Sequence, residues 1–184
     1  SNINKIPPSS FLKFEKNRVF TGKYHSFTKK KYIEDFDFSL NHIDSLLRES
    51  VSAQITEEVP MGLMLSGGID SSLLAQYLSL DKKLPREVKA YSVRFLDKKM
   101  SKDYSYAENL ANRLNLNHET INVTSSQSLA YLEKAADNLD EPISDTGIIG
   151  TNIICQKSKA DGVKVLISGT GADELFGGYI RHFR

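Results

Sequence analysis

Hydrophobic and polar positions follow two different periods along this chain. After residue 36, short apolar runs typical of buried strands alternate with stretches in which apolar residues recur every three or four positions, as on one face of a helix. The predicted strands cover residues 59–65, 89–95, 119–123 and 163–167, with helical stretches between them. Such alternation predicts an α/β fold, in which a parallel sheet carries helices on both faces.

The first 35 residues have a different pattern. Apolar residues stand on both sides of Lys16-Asn17, which predicts a small hairpin with a polar turn. We expect residues 1–35 to be a linker with this hairpin and residues 36–184 to form the main domain. The first predicted helix starts near Asp37, with Asp37 or Ser39 as its N-cap, and its apolar residues are Leu40, Ile43, Leu47, Val51 and Ile55.

Composition narrows the class of protein. The 184 residues are 40% hydrophobic and 26% charged, which is usual for a soluble domain with one core. Lys plus Arg number 24 and Asp plus Glu number 23, so the charge gives no reason to expect a nucleic-acid or membrane partner. Cys155 is the single cysteine, which excludes an internal disulfide. We expect it to lie in a helix with its side chain in the hydrophobic core. The absence of an initial Met suggests that the chain belongs to a longer protein.

A glycine turn directly after the first predicted strand carries candidate chemistry. Residues 66–72 are Ser66, Gly67, Gly68, Ile69, Asp70, Ser71 and Ser72. Two glycines let backbone amides approach an anion, three hydroxyls add donors, and the following helix N-terminus favours negative charge. Asp70 would repel bare phosphate, so it fits a polyphosphate that carries Mg²⁺. The alternative is an ordinary capped connection between a strand and a helix.

A second glycine turn, residues 168–179, follows the last predicted strand. Asp173 within it is a candidate second carboxylate on Mg²⁺ if its strand lies beside the first one, because ligands bind at the carboxyl ends of parallel strands. Its alternative is a simple turn with an acidic first helical turn. A Walker A loop is excluded because no Lys-Ser or Lys-Thr pair follows the glycines. A dinucleotide fingerprint is excluded because Glu174 stands where the third glycine belongs.

The segment from Leu65 to Ser72 resembles the pyrophosphate loop of the ATP pyrophosphatases. The second turn, together with residues 91–95, 106–107 and 140–142, is similar to the asparagine synthetase branch of that superfamily. The resemblance covers residues 36–184 and implies an adenine nucleotide alpha hydrolase-like fold that is truncated at its C-terminus. Residues 6–8, Ile-Pro-Pro, resemble the linker that leaves the glutaminase domain in that family.

The resemblance implies a carbon–nitrogen ligase with ATP and Mg²⁺ as cofactors. A small carboxylate, aspartate, would attack ATP to give an acyl-adenylate and pyrophosphate, and ammonia from a separate glutaminase domain would then form the amide. The implied pyrophosphate ligands are Ser66, Gly67, Gly68, Asp70, Ser71 and Ser72. Leu65 and Val93 would flank adenine, and Gly169 would lie against the nucleotide. Asp70 and Asp173 are the implied catalytic and metal-binding residues.

Thr170 departs from the family pattern, which has Glu or Asp at this position. That acid is linked to the amide-forming step in asparagine synthetases, and a threonine cannot act as a base near pH 7. Adenylation of another acceptor, a sugar acid or a β-amino acid closed to a β-lactam, therefore stays open, as does a nucleotide-binding module without turnover. We also expect a cytoplasmic location, a homodimer, and no activity in the isolated chain.

Overall fold

The computed structural model describes residues 3–26, 35–56, 58–81, 88–96, 103–137, 139–140 and 145–183. The chain divides into two compact units, Ser1–His42 and Ile43–Arg184. The division falls inside the first long helix, beyond the boundary expected at residue 35. No helix in the described ranges is long and apolar enough to cross a membrane.

The first unit contains the predicted hairpin. β1, Ser10–Glu15, pairs antiparallel with β2, Arg18–Lys23, and the last pair of the ladder is Glu15 with Arg18. Lys16 and Asn17 form the turn, with φ values of 48° and 61°. Two-residue hairpin turns with positive φ match the twist of the strands, and asparagine tolerates this conformation. The hairpin prediction is confirmed.

α1, Phe36–Gln54, begins where the sequence predicted but has a different cap. The Phe38 amide donates to Asp35 Oδ1 at 2.8 Å, and Ser39 Oγ donates to the Asp35 carbonyl at 2.8 Å. The prediction of Asp37 or Ser39 as the N-cap is therefore wrong. A capping carboxylate has to precede the first helical residue to reach the amide three positions later, and Asp35 has that place.

The second unit contains a four-stranded parallel sheet with the strand order β5-β4-β3-β6. The strands are β3, Met61–Met64; β4, Lys89–Phe95; β5, Asn117–Val123; and β6, Val165–Ile167. β3 and β6 start two residues later than predicted. Pro60 lacks an amide for the ladder, and its carbonyl instead accepts from the amides of Lys164 and Val165 at 2.9 and 3.3 Å.

The helices are placed by the connections between the strands. They are α2, Ile69–Leu80; α3, Asp103–Arg113; α4, Ser125–Ala136; α5, Gly147–Ala160; and α6, Ala172–Phe176, followed by a 3₁₀ turn at Ile180–Phe183. Parallel crossovers are right-handed. α2 and α3 lead from β3 through β4 to β5, whereas α4 and α5 lead back to β6, so the two pairs cover opposite faces. The predicted fold class is confirmed.

The core lies on both sides of β3 and β4. Leu63 and Leu65 are each 1% exposed and belong to a cluster that includes Ala75 of α2 and Ala107 of α3. Cys155 is exposed although it lies in α5, so its predicted core position is wrong. The buried face of α5 is formed by Ile153, Ile154 and Ser158, and Cys155 lies outside that face.

Candidate active site

The first glycine turn is closed by hydrogen bonds that meet at Ser71. Ser71 is buried, and its Oγ accepts from the Ser66 amide at 3.2 Å. The same atom lies 2.9 Å from Ser66 Oγ and donates to the Gly68 carbonyl at 3.2 Å. A hydroxyl has one proton, so the Ser66 hydroxyl is the donor in the pair of serines. The Ser66 hydroxyl also accepts from the Gly68 amide at 3.3 Å, so both serines hold the turn.

The two glycines of this turn have separate roles. Gly67 has a φ of 85°, a left-handed conformation that favours glycine. Gly68 immediately precedes α2, and no side chain caps the helix there. The amides at the start of a helix carry partial positive charge and attract anions. The turn therefore presents an uncapped helix end next to the Ser66 hydroxyl.

The second glycine turn packs directly on the first. A Cβ added at Gly169 would lie 3.0 Å from Asp70 Cβ and 3.1 Å from the Ser71 amide nitrogen. Any larger residue would have to displace the backbone of α2. This contact is possible because β3 and β6 are neighbours, with Leu63 paired to Ile167. The two turns, about 100 residues apart in sequence, form one structural feature.

The carboxylate of Asp173 lies directly against Gly178. A Cβ at Gly178 would lie only 1.8 Å from Asp173 Oδ1, and the Gly178 amide donates to the Asp173 carbonyl at 3.1 Å. The carboxylate thus occupies the space that a side chain at 178 would need. Gly177, with a φ of 71°, ends α6 and lets the chain turn back across Asp173.

Both turns line one cavity of about 560 Å³, a size typical of small-molecule sites. The residues predicted from the sequence that line it are Leu65, Ser66, Asp70, Ser71, Val93, Gly169 and Asp173. Gly67, Gly68 and Ser72 belong to the same turn but not to the cavity wall. Leu65 reaches the wall although it is almost completely buried in the core. Glu141 and Pro142, part of the resemblance, lie outside the described residues.

Other lining residues were missed by sequence reasoning. They include Ser92, Phe95, Tyr104, Asp145, Thr151, Glu174 and Tyr179. Asp145 Oδ1 accepts from the Gly147 amide at 2.8 Å at the start of α5, and the Tyr179 hydroxyl donates to Glu174 Oε1 at 2.7 Å. The guanidinium of Arg94 lies 4.2 Å from the centre of the Tyr104 ring. One signal was available: Ser92 is a small polar residue between two apolar residues, Tyr91 and Val93, in the middle of β4.

The donor set fits a magnesium ion that arrives with phosphates. Asp70 and Asp173 contribute carboxylates to one cavity, next to the Ser66 hydroxyl. Mg²⁺ is usually bound by one or two carboxylates, substrate phosphates and water rather than by a complete protein cage. The part of the chain that the structure describes contains no group of three or more His, Cys, Asp or Glu that could hold a metal alone.

Comparison with known proteins identifies the family. The family model described as asparagine synthase matches residues 42–184. The chain belongs to the asparagine synthase family. A protein of Methanocaldococcus jannaschii assigned as a glutamine-hydrolysing asparagine synthetase is 33% identical over 193 residues, which cover 100% of this chain and 34% of that protein. Asparagine synthetase 1 of Bacillus subtilis is 28% identical over 180 residues, or 97% of this chain and 28% of that protein.

One solved structure has a similar fold. The U34-tRNA thiolase of Methanococcus maripaludis superimposes with a TM-score of 0.53 at 16% identity, covering 79% of this chain and 53% of that one. At this identity the likeness concerns the fold alone. The chain spans about a third of the length of the asparagine synthase relatives it matches.

Proposed function

We propose that the cavity between the two glycine turns binds Mg-ATP. The observation that carries this proposal is the packing of Gly169 against Asp70 and Ser71, which joins both turns into one wall. The uncapped start of α2 and the Ser66 hydroxyl would receive the β- and γ-phosphates. Val93 and the buried edge at Leu65 would lie next to adenine.

Asp70 and Asp173 would hold Mg²⁺ against these phosphates. The ion would neutralise the charge that develops on pyrophosphate as a leaving group, a mainly electrostatic contribution to catalysis. Gly178 supports this role because it leaves room for the Asp173 carboxylate beside the backbone. The chain's own contribution is to hold two carboxylates and a positive helix end at fixed positions.

We further propose that the protein that contains this chain makes an amide from a carboxylate, with aspartate as the substrate. A carboxylate oxygen would attack the α-phosphorus of ATP, and the bond to the α–β bridging oxygen would break to release pyrophosphate. Ammonia derived from glutamine would then attack the carbonyl carbon, lose a proton and displace AMP. Membership in the asparagine synthase family supports this reaction.

Isotope exchange tests the first step. The full-length protein, given ATP, Mg²⁺, aspartate and labelled pyrophosphate without ammonia, should transfer label into ATP only when aspartate is present. Reversible formation of an acyl-adenylate requires this exchange. Exchange that is independent of any carboxylate, or absent from a protein that makes asparagine, would contradict the proposed chemistry.

Thr170 favours a second candidate acceptor. It lines the cavity, and its Oγ1 accepts from Ser168 Oγ at 3.0 Å. A neutral hydroxyl in this position cannot take a proton from the attacking nitrogen, whereas a general base contributes about 10²–10⁴-fold to such steps. A reaction in which another group takes this proton, with a sugar acid or a β-amino acid that closes to a lactam as the acceptor, would fit this feature.

Substitution of Thr170 separates the two acceptors. Thr170→Glu in the full-length protein should raise asparagine formation by at least about tenfold while pyrophosphate release stays nearly unchanged, because the base acts only in the second step. Pyrophosphate and asparagine are measured together with ammonia supplied directly, and Thr170→Ser is the control. Asparagine output that equals pyrophosphate release in the unsubstituted protein would show that another group supplies the base.

A further inference from the structure

Ser92 connects the first glycine turn to the far strand of the sheet. It is 3% exposed and lines the cavity. Its Oγ donates to the carbonyl of Leu65, the residue immediately before the turn. The same Oγ lies 2.8 Å from Nε2 of His118 on β5. The site described above makes no use of either His118 or the Ser92 hydroxyl.

The direction of these hydrogen bonds follows from counting protons. The Leu65 carbonyl can only accept, so it takes the single proton of the Ser92 hydroxyl. His118 must then be the donor to Ser92, which requires a hydrogen on Nε2. This arrangement selects one tautomer of the neutral imidazole, with Nδ1 unprotonated.

The Leu65 carbonyl and the Ser66 amide belong to the same peptide unit. That unit is planar, so the orientation of the carbonyl determines the orientation of the amide. Ser92 holds the carbonyl end, and Ser71 holds the amide end at 3.2 Å. The chain of bonds therefore runs from His118 through Ser92 and the peptide to Ser71, and on to the Gly68 carbonyl. Hydrogen bonds that point the same way strengthen one another.

The surroundings of His118 keep the imidazole neutral. His118 and Thr120 lie on the same face of β5, and the charged group that faces them is Glu108 of α3, which accepts from Thr120 Oγ1 at 3.2 Å. Burial lowers the pKa of His118, and the Glu108 carboxylate opposes this shift only in part. A neutral imidazole with its hydrogen on Nε2 satisfies the Ser92 hydroxyl.

We propose that Ser92 and His118 are positioning residues that set the peptide between Leu65 and Ser66 for binding of the pyrophosphate part of ATP. This inference rests on the proposed function of the cavity. The pair acts through the first turn and has no direct role toward adenine. Its loss should therefore weaken ligands that carry pyrophosphate and leave the nucleoside part unaffected.

Calorimetry with three probes tests the proposal: Mg-ATP, Mg-pyrophosphate and adenosine. Ser92→Ala and His118→Leu should each weaken the first two by about tenfold, the effect of losing a buried hydrogen bond, and leave adenosine within about twofold. His118→Gln keeps an N–H donor and should stay within about twofold of the unsubstituted protein for all probes. His42→Leu is the control for removal of an imidazole from the other compact unit, and melting curves confirm that each variant is folded.

Nitrogen NMR of the histidine rings gives an independent readout. We expect the His118 signals, assigned by their loss in His118→Gln, to show hydrogen on Nε2 and to change in Ser92→Ala. A hydrogen on Nδ1 alone would overturn the pairing even if the protein binds ATP normally. Equal weakening of adenosine and pyrophosphate, or no weakening in His118→Leu, would overturn the positioning role. If the unsubstituted protein binds no Mg-ATP, the proposed function fails first and the inference fails with it.

Discussion

Charged side chains are paired with one another at one end of the parallel sheet and line a cavity at the other end. At the amino end, Lys89, Glu119, Lys157 and Asp161 form a closed network of ion pairs, with Lys89 Nζ 2.7 Å from Asp161 Oδ2 and Lys157 Nζ 2.6 Å from Asp161 Oδ1. At the carboxyl end, Asp70 and Asp173 line a cavity, and no ion pair within the described ranges reaches either carboxylate.

Protonation states at the amino end reflect this pairing. Hydrogen bonds from Lys157, Lys89 and Tyr91 hold the pKa of Asp161 well below its usual range. Burial, with the hydrogen bond to Asp161, raises the pKa of Tyr91 to about 12. All of these groups keep their ordinary charge near neutral pH, and the network joins α5 to β4 and β5.

The comparison of the two ends separates charged groups that stabilise the fold from charged groups that are available to bind a ligand. Asp161 is complemented by the protein itself, so its chemistry is complete without another molecule. Asp70 and Asp173 are held in position by contacts with Gly169 and Gly178. The positive charge that balances them would come from Mg²⁺ bound with phosphates. Substitutions at the two ends should therefore separate stability from binding.

The largest effect is expected for Gly169→Val. The added side chain would meet the backbone of Asp70 and Ser71 and push the two turns apart. Mg-ATP binding should fall by roughly 100-fold, because close contact of the turns forms the site. The control is Gly162→Ala, which lies outside the cavity wall: a Cβ there meets nothing within 4 Å, and the positive φ of 85° should cost about 1 kcal/mol of stability without changing binding. Unchanged binding in Gly169→Val would show that the turns need not touch.

A smaller effect is expected for Gly178→Ala. The new Cβ would take the position of Asp173 Oδ1, so the carboxylate must rotate away. Mg-ATP binding should weaken by about tenfold, the size expected for a lost charge-assisted contact. Titration with magnesium at fixed ATP measures it, and Asp173→Asn should show the same change. If Asp173→Asn weakens binding and Gly178→Ala does not, the position of the carboxylate is unimportant.

The smallest effect on binding is expected for Asp161→Asn, which should affect stability only. The pKa of Asp161 is lowered in the folded protein, so its contribution is present above the unfolded value of about 3.9 and is lost as the pH falls through the folded value. Urea unfolding at pH 7 should show a less stable variant, and the gap should narrow below about pH 4. Mg-ATP affinity should stay within about twofold. If Asp161→Asn binds Mg-ATP more weakly at pH 7, the ion-pair network at the amino end of the sheet also affects binding at the carboxyl end.

Local sequence signals predicted much of the fold. The Lys16-Asn17 turn and the whole of β4 were predicted because each depends on residues adjacent in sequence. The errors occurred where one residue decides a boundary. Asp35 precedes the helix it caps, and Pro60, which has no amide to donate, precedes the first residue of β3. Cys155 lies only one position away from a buried residue of α5, and a small shift in helix phase changes its exposure.

The candidate site was predictable only in part. The motif of the first turn is local and was recognisable, and the neighbouring strands bring Asp173 to the same cavity. The fit of Gly169 on Asp70 and the bond between Ser92 and His118 join positions far apart in sequence, and a pattern of residues contains no signal for either. The roles of Ser66 and Ser71 also could not be separated, because only the structure shows that Ser71 is buried and Ser66 is exposed.

Binding of Mg-ATP to the unsubstituted protein and to Asp70→Ala tests the central claim most directly. Titration calorimetry should show one site in the unsubstituted protein and the same affinity in the control Asp37→Ala, whose carboxylate lies in the other compact unit. Asp70→Ala should bind at least about 30-fold more weakly, since a carboxylate on Mg²⁺ would be lost. Equal affinity of the unsubstituted protein and Asp70→Ala, or no binding by either, would contradict the assignment of the cavity between the glycine turns as a nucleotide site.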